Sequence, residues 1–317
     1  MSSNSDSLDE IICEELSQNV MIAAKALGEH LAARIGAPVL AILFYGSCLR
    51  TGDDTGLMDF YILVDSPRGY DGRAVARLAH RLVPPHVRYF KTVCAGKPVQ
   101  AKLSIMTMAR FAALCRPEAL DISIWARFTQ PCAIVYARDQ CARDRIHSAI
   151  RQAVITAINW AVVFGPREGR AQDFWKSLFR ATYGAELRID EPGRADKIVD
   201  LDAKHYQRLF LPALAAAGIT PVRVADKRYD VPLSRRRRRA QKWQWLGRVM
   251  VSKSINLARI IKGAVTFEGR ADYVAWKLQR RTGVALELTP WQRAHPLLSA
   301  PRILAQLWRK GAFLRRH

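Results

Sequence analysis

Long apolar runs are missing from this 317-residue chain. No stretch reaches the roughly 18–20 residues that a bilayer-spanning helix needs, which leaves a soluble or peripheral protein as the expectation. Paired cysteines are missing too. Cys13, Cys48, Cys94, Cys115, Cys132 and Cys141 form no C-x-x-C pair and take no zinc-ligand spacing with histidine. Free thiols in a reducing cytosol are expected, not a disulfide framework. No basic residue precedes Lys25, whereas Asp6, Asp9, Glu10, Glu14 and Glu15 do. As written, that start excludes a secretory signal and an Arg-rich presequence. Internal repeats are absent.

Acid is scarce at the other end. The formal charge is +22, yet residues 233–317 hold 20 Lys/Arg against Glu268, Asp272 and Glu287, a net of +17. The remainder carries only +5. Composition is otherwise globular, 50% hydrophobic, with length enough for two domains and a sizeable core.

Periodicity organises the chain. Residues 8–35 read as one amphipathic helix, with Ile11, Ile12, Leu16, Val20 and Ala23 on its apolar face. Residues 40–45 and 58–64 read as strands joined by a polar loop at 51–56. A helix is expected at 72–83, stopped by Pro84-Pro85. Residues 87–93 and 99–108 read as a hairpin. From about 138 the pattern is helical, over 138–164, 172–183 and 203–217, with joints at 165–169 and 192–194. A break is expected at Ser234 and the five arginines 235–239, followed by basic helices at about 240–262, 270–283 and 299–314. The fold class is thus α/β (α+β), a small mixed sheet carrying helices and then a mainly helical part. The boundaries expected are 1–145, 146–234 and a basic C-terminal region, 235–317.

The chemistry sits at 44–64. An apolar strand runs into Gly46-Ser47, and twelve residues after Ser47, Asp59 opens the next strand. Glycine lets backbone approach a phosphate closely, and turn N–H groups cradle anions. A strand Asp is placed to hold a metal on those phosphates. Such parts serve nucleotidyl transfer, which asks mostly for positioning and charge neutralisation, usually with Mg²⁺. An ordinary turn followed by a strand-end Asp has the same spelling. The usual second carboxylate two residues on is replaced by Tyr61, and a third is replaced by Lys102.

The segment YGS…MDFYILVDSP resembles the mitochondrial-type phosphatidate cytidylyltransferases, the translocator assembly and maintenance family of CDP-diacylglycerol synthases. In that family a Tyr-Gly-Ser turn precedes a strand with a single Asp, here Tyr45, Gly46, Ser47 and then Asp59, Phe60, Tyr61. Lys102 resembles the lysine that leads a later strand, although Leu103-Ser104 replace the Tyr-Gly behind it. Residues 126–131 resemble a Gly-Arg-x-x-Lys-Pro segment in which Arg127 is kept and Gln130 replaces lysine. Residues 182–188 resemble Ser-Tyr-x-Gly-Asp-x-Arg, with Tyr183 and Arg188 kept, Ala185 for the Gly and Glu186 for the Asp. ARIIKGAVTFEGRADYVAWKLQRRTGV, HPLL and WRKGAFLRR are similar to the family's C-terminal region.

The resemblance covers about 40–315. It implies a nucleotidyltransferase domain, a winged-helix-like domain and a C-terminal membrane-touching helix. It implies a reaction of CTP with phosphatidic acid that gives CDP-diacylglycerol and pyrophosphate, with Mg²⁺, in phospholipid biosynthesis. By that likeness Tyr45, Gly46 and Ser47 bind the triphosphate and Asp59 holds Mg²⁺. Lys102 and Arg127 neutralise phosphate, and Tyr183 and Arg188 bind substrate. Glu186 completes the metal shell or orients the attacking oxygen. Nucleic acid is an unlikely partner on this reading. The location implied is cytoplasmic, peripheral on the inner face of the cell membrane.

The basic end suits an anionic bilayer, at about 1 kcal/mol per Lys/Arg near the surface. Ile303, Leu304, Leu307, Trp308 and Leu314 share one helix face, which fits an in-plane interfacial helix or a helix docked on the protein's own core. The arginine run 235–239 reads as a linker, a lipid-headgroup anchor or a nucleic-acid contact. Trp243, Trp245 and Trp276 suit a membrane interface or a core equally. His80, His86 and His205 read as structural or surface residues, Asp65 as a turn former, and Asp53 and Asp54 as solvated loop. Two rivals remain: a transferase acting on RNA or a small hydroxylated acceptor, and a catalytically degenerate membrane-binding module.

Overall fold

The computed structural model describes residues 7–53, 56–66, 84–94, 97–185, 193–266, 289 and 291–292. The helices expected at 72–83, 270–283 and 299–314 lie outside these residues, as do Glu186, Arg188, His80, Asp54 and Trp276.

The apolar pattern at the start makes two helices rather than one. Helix α1 (Leu8–Leu16) is held by a capping box, in which the Ser7 hydroxyl accepts from the Glu10 N–H at 3.2 Å and the Glu10 carboxylate accepts from the Ser7 N–H at 2.6 Å. It ends at Ser17. Helix α2 (Ile22–Ile35) starts afresh and stops at Gly36. Continuous periodicity across 8–35 hid this break, and the two helices bury their stripes in different cores.

A five-stranded mixed sheet has the order β3-β4-β2-β1-β5, formed by β1 (Val39–Tyr45), β2 (Leu57–Val64), β3 (His86–Cys94), β4 (Lys97–Thr107) and β5 (Cys132–Ala137). The expected hairpin is present as the antiparallel β3–β4 pair. β2 and β4 run parallel, and the other neighbours are antiparallel. Strand alternation sends Val39, Ile42, Phe44, Phe60, Ile62 and Val64 to one core under α2. It sends Leu43, Tyr45, Tyr61, Leu63 and Met106 to the other face, against α1 and the helical part. Between β1 and β2 lies a short helix, α3 (Ser47–Thr51), where the sequence read as turn and loop.

After β4 come α4 (Met108–Cys115) and α5 (Ser123–Arg127). Helix α6 (Gln140–Phe164), capped by Asp139 accepting from the Ala142 N–H at 2.7 Å, crosses the sheet's lower core and continues into the second part. That part contains β6 (Glu168–Arg170), α7 (Ala171–Ala185), α8 (Arg194–Leu201), α9 (Ala203–Ala216), β7 (Val222–Ala225) and β8 (Arg228–Asp230). Its small sheet has the order β6-β8-β7. The expected helices at 138–164, 172–183 and 203–217 are observed with ends shifted by a few residues.

The arginine run is not a break. Residues 235–239 form the opening turns of α10 (Arg235–Thr266), a helix of 32 residues. Its inner line repeats every seventh residue: Arg238, Trp245, Ser252, Arg259. Arg238 donates to the carbonyls of Val163 and Gly165, at 3.3 and 2.6 Å. Trp245 is buried against Trp160 and Phe164, with ring centroids 4.9 and 4.8 Å away. Trp243, by contrast, is 69% exposed, so the two tryptophans divide between core and surface. Among the described residues no helix is long and apolar enough to cross a membrane.

Candidate active site

The end of β1 and the start of β2 form the floor of a cleft. β1 finishes at Tyr45, which pairs with Asp59, and Asp59 pairs on its other side with Lys102 of β4. On this sheet face the positions run Leu63, Tyr61, Asp59 from core to rim, so Asp59 is the first that solvent reaches. The sequence fixes that change: three alternate positions go from aliphatic to aromatic to charged.

Gly46 makes the turn possible. Its φ of +94° is one that residues with a Cβ rarely adopt, and a Cβ there would lie 2.9 Å from Asp59 Oδ2. The backbone thus comes to the carboxylate as closely as glycine alone permits. Lys102 Nζ is 3.7 Å from Asp59 Oδ1. The cleft, about 130 Å³, is lined by Tyr45, Gly46, Ser47, Asp59, Lys102, Arg127 and Tyr183 among others. These include every expected site residue that lies within the described ones. Sequence reasoning gave no site role to Arg50, Ser123, Ala126, Gln130, Thr182 and Arg194, which line it too, although Ala126, Gln130 and Thr182 lie in the segments that carry the resemblance. Arg50 had a usable signal, since it follows Ser47 by three residues, a same-face spacing had α3 been foreseen. Arg194 had none.

Tyr61 is fully buried and has become part of an aromatic floor. Its ring lies 5.6 Å from Tyr45 and 5.1 Å, edge-on, from Phe128. Its hydroxyl has no hydrogen-bond partner of good geometry. Burial pushes the Tyr61 phenol up, and the nearby Arg127 charge partly offsets this. Tyr45 is pushed up further, by burial first and by the Asp59 carboxylate second. Both phenols therefore stay protonated. Arg127 lies over the Tyr45 ring, 5.8 Å from its centroid.

Charge decides what the cleft accepts. Its described lining carries Arg50, Lys102, Arg127 and Arg194 against the one carboxylate of Asp59. That excess favours a polyanion. A divalent metal also fits if the ligand brings oxygens of its own. Among the described residues no group of three metal-ligating side chains exists. Mg²⁺, however, is commonly held by one or two carboxylates plus substrate phosphates. The missing Cβ at Gly46 leaves Asp59 Oδ2 accessible for that purpose.

Helix α10 braces the segment that carries Arg127. Arg248 donates to the carbonyls of Pro117, at 2.7 Å, and Ala119. Ser252 donates to Leu120 O and accepts from the Ile122 N–H, both at 3.3 Å. Arg259 closes the clamp, with Nη2 to Asp121 Oδ2 at 2.5 Å, Nη1 to Ser123 Oγ at 2.9 Å and Nε to Pro84 O at 2.8 Å. Asp121 Oδ1 accepts from the Ser123 N–H and hydroxyl at 3.0 and 2.7 Å. Burial works to raise the Asp121 carboxyl, but Arg259 and these bonds outweigh it and hold it below the usual range. Ser123, Ala126 and Arg127 then share the face of α5 that lines the cleft.

No family model matches the chain, and no curated protein matches it.

Proposed function

We propose that this protein is a cytidylyltransferase, joining CTP to phosphatidic acid to give CDP-diacylglycerol and pyrophosphate at a membrane surface. The observation that carries the reading is Lys102, in register beside Asp59 where an acceptor hydroxyl would need a base. A lysine cation cannot take up a proton there, but it attracts an acceptor that is already anionic. A phosphate monoester carries about −1.5 to −2 charges near neutral pH and needs no deprotonation to attack. The four cations among the described lining residues serve the same end, and a neutral hydroxylated acceptor would leave more of their charge uncompensated.

In the reaction an acceptor phosphate oxygen bonds to the α-phosphorus of CTP. The bond to the bridging oxygen breaks, and its electron pair departs with pyrophosphate. Gly46 and Ser47 hold the triphosphate against the end of β1. Asp59 would hold Mg²⁺, which supplies neutralisation of triphosphate charge when bound. Lys102 attracts the acceptor phosphate, Arg127 stabilises phosphate charge in the cleft, and Tyr183 closes the cleft from α7. Glu186 and Arg188 follow α7 in the chain and keep the roles the resemblance gives them.

The strand–Gly-Ser–strand–Asp arrangement supports a nucleotidyltransferase-like first part. The succession α6-β6-α7-α8-α9-β7-β8, with sheet order β6-β8-β7, supports a winged-helix-like second part. The outer line of α10 supports the membrane surface. Trp243, Leu246, Met250 and Leu257 are exposed there among Arg236, Arg239, Lys242 and Lys253, the composition of an interfacial helix on anionic lipid. A cytoplasmic, membrane-peripheral location follows from that reading.

The test is pyrophosphate release from each of the four nucleoside triphosphates, with Mg²⁺ and phosphatidate vesicles. CTP should be preferred, and Asp59→Ala should abolish release. Wild-type-like turnover in that variant would sink the assignment.

A further inference from the structure

Arg50 lies within 44–64 with no role in the sequence reading, yet it lines the cleft beside Ser47 and Asp59. Its Nη1 donates to Gln130 Oε1 at 3.1 Å, and Gln130 Nε2 donates to the Ala126 carbonyl at 3.3 Å. A neutral amide thus holds the guanidinium in place without discharging it. Arg50 Nε is buried and finds no acceptor. Among the described residues no carboxylate comes within ion-pairing distance of Arg50. The Arg50 charge works to lower the Asp202 carboxyl, but burial outweighs it and pushes that carboxyl up. A half-buried guanidinium oriented by an amide and lacking a counter-ion is a preformed receptor for an anion.

Its position says which anion. In the sheet order, β4 with Lys102 lies on one side of Asp59, and β1 and β5 lie on the other. Gln130 stands just before β5. With neighbouring strands about 4.8 Å apart, β4 and β5 are separated by roughly 14 Å. Cations therefore flank Asp59 from two sides. In-line transfer places attacking and leaving oxygens on opposite sides of the reacting phosphorus.

We infer that Arg50, oriented by Gln130, binds the terminal phosphates of the nucleoside triphosphate, opposite a Lys102 flank that receives the acceptor. This rests on the nucleotidyl-transfer reading. The bond that breaks leaves its electron pair on the pyrophosphate beside Arg50, and the oxygen that attacks comes from the Lys102 side. Arg50 would then be what distinguishes a triphosphate from a nucleoside monophosphate.

The experiment uses the full-length protein and inorganic tripolyphosphate as probe, by titration calorimetry, with pyrophosphate release measured in parallel. Arg50→Gln should weaken tripolyphosphate binding by at least about tenfold, the size of a lost charge-assisted hydrogen bond. It should raise the KM for CTP and leave the KM for phosphatidate within about twofold, the scatter of a surface change. Arg50→Lys should restore part of the binding. Lys102→Gln should spare tripolyphosphate and raise the phosphatidate KM. Equal tripolyphosphate binding by wild type and Arg50→Gln overturns the inference. So does an equal loss in Lys102→Gln, and so does a wild type that binds no tripolyphosphate. Circular dichroism melts separate a binding loss from a folding loss. If binding depends on Arg50 but no triphosphate releases pyrophosphate, the cytidylyltransferase reading fails while the Arg50 subsite stands.

Discussion

Replacing Arg259 by Met removes the cation that clamps α10 onto the 117–123 segment and leaves Asp121 behind. The Asp121 side chain is 5% exposed and that of Arg259 17%, so water cannot take over the pairing. Deleting one partner of a buried pair costs about 3–5 kcal/mol. Asp121 keeps its two bonds from Ser123, which puts the expected loss near the lower end, about 3 kcal/mol. At roughly 2–4 °C per kcal/mol for a chain of this order, the melting temperature should fall by about 6–12 °C. Asp121→Asn removes the charge but keeps an acceptor, and it should cost less. The double variant strands neither ion, so its loss should fall short of the sum of the single losses by about 2 kcal/mol. Urea unfolding followed by tryptophan fluorescence measures all four corners, since Trp125, Trp160 and Trp245 lie beside the clamped segment. A coupling energy under about 0.5 kcal/mol would refute the claim that this pair holds the segment.

Two further expectations concern the cleft floor and the buried acid behind it. Gly46→Ala should cost about 1–3 kcal/mol for the forced backbone and also push Asp59 aside, because the new Cβ would lie 2.9 Å from Oδ2; tripolyphosphate binding that matches wild type would contradict the close approach. Burial raises the Glu15 carboxyl to about 8 and lowers the neighbouring His205 imidazole to about 4, with Glu15 Oε1 accepting from the Cys132 N–H at 2.9 Å. The folded state keeps a proton on Glu15 that the unfolded chain has released, so stability falls as pH rises from about 4.5 towards 8. His205 has the opposite sign, since the unfolded chain gains a proton between about 4 and 6.5 that the folded state refuses, so stability rises with pH there. The two largely cancel at lower pH, leaving a loss of about 2 kcal/mol between pH 6.5 and 8. Glu15→Gln keeps the acceptor for Cys132 and should flatten that decline; melting curves of equal slope for both proteins over this window would count against a buried neutral Glu15.

The chain's local chemistry determined much of this on its own. Apolar runs at 40–45 and 58–64 specified two strands, with one charged position, Asp59, at the opening of the second. The apolar pattern of 138–164 specified a long helix, and the Gly46-Ser47 turn with Asp59 specified a glycine turn beside a strand-opening carboxylate. Each of these signals lies within a few turns or one strand of sequence, which is the range over which periodicity and turn chemistry act. Tertiary structure decided the rest. Five consecutive arginines carry no local sign of helix packing, but a line from Arg238 through Trp245 and Ser252 to Arg259 repeats every seventh residue and finds a surface to meet. Tyr61 looked like a missing carboxylate; only the packing of Phe128 and Tyr45 shows it as the floor beneath Asp59. Arg50 and Gln130 are 80 residues apart and share one hydrogen bond at the cleft. No pattern in either segment predicts that bond, because it exists only once β1 and β5 lie side by side.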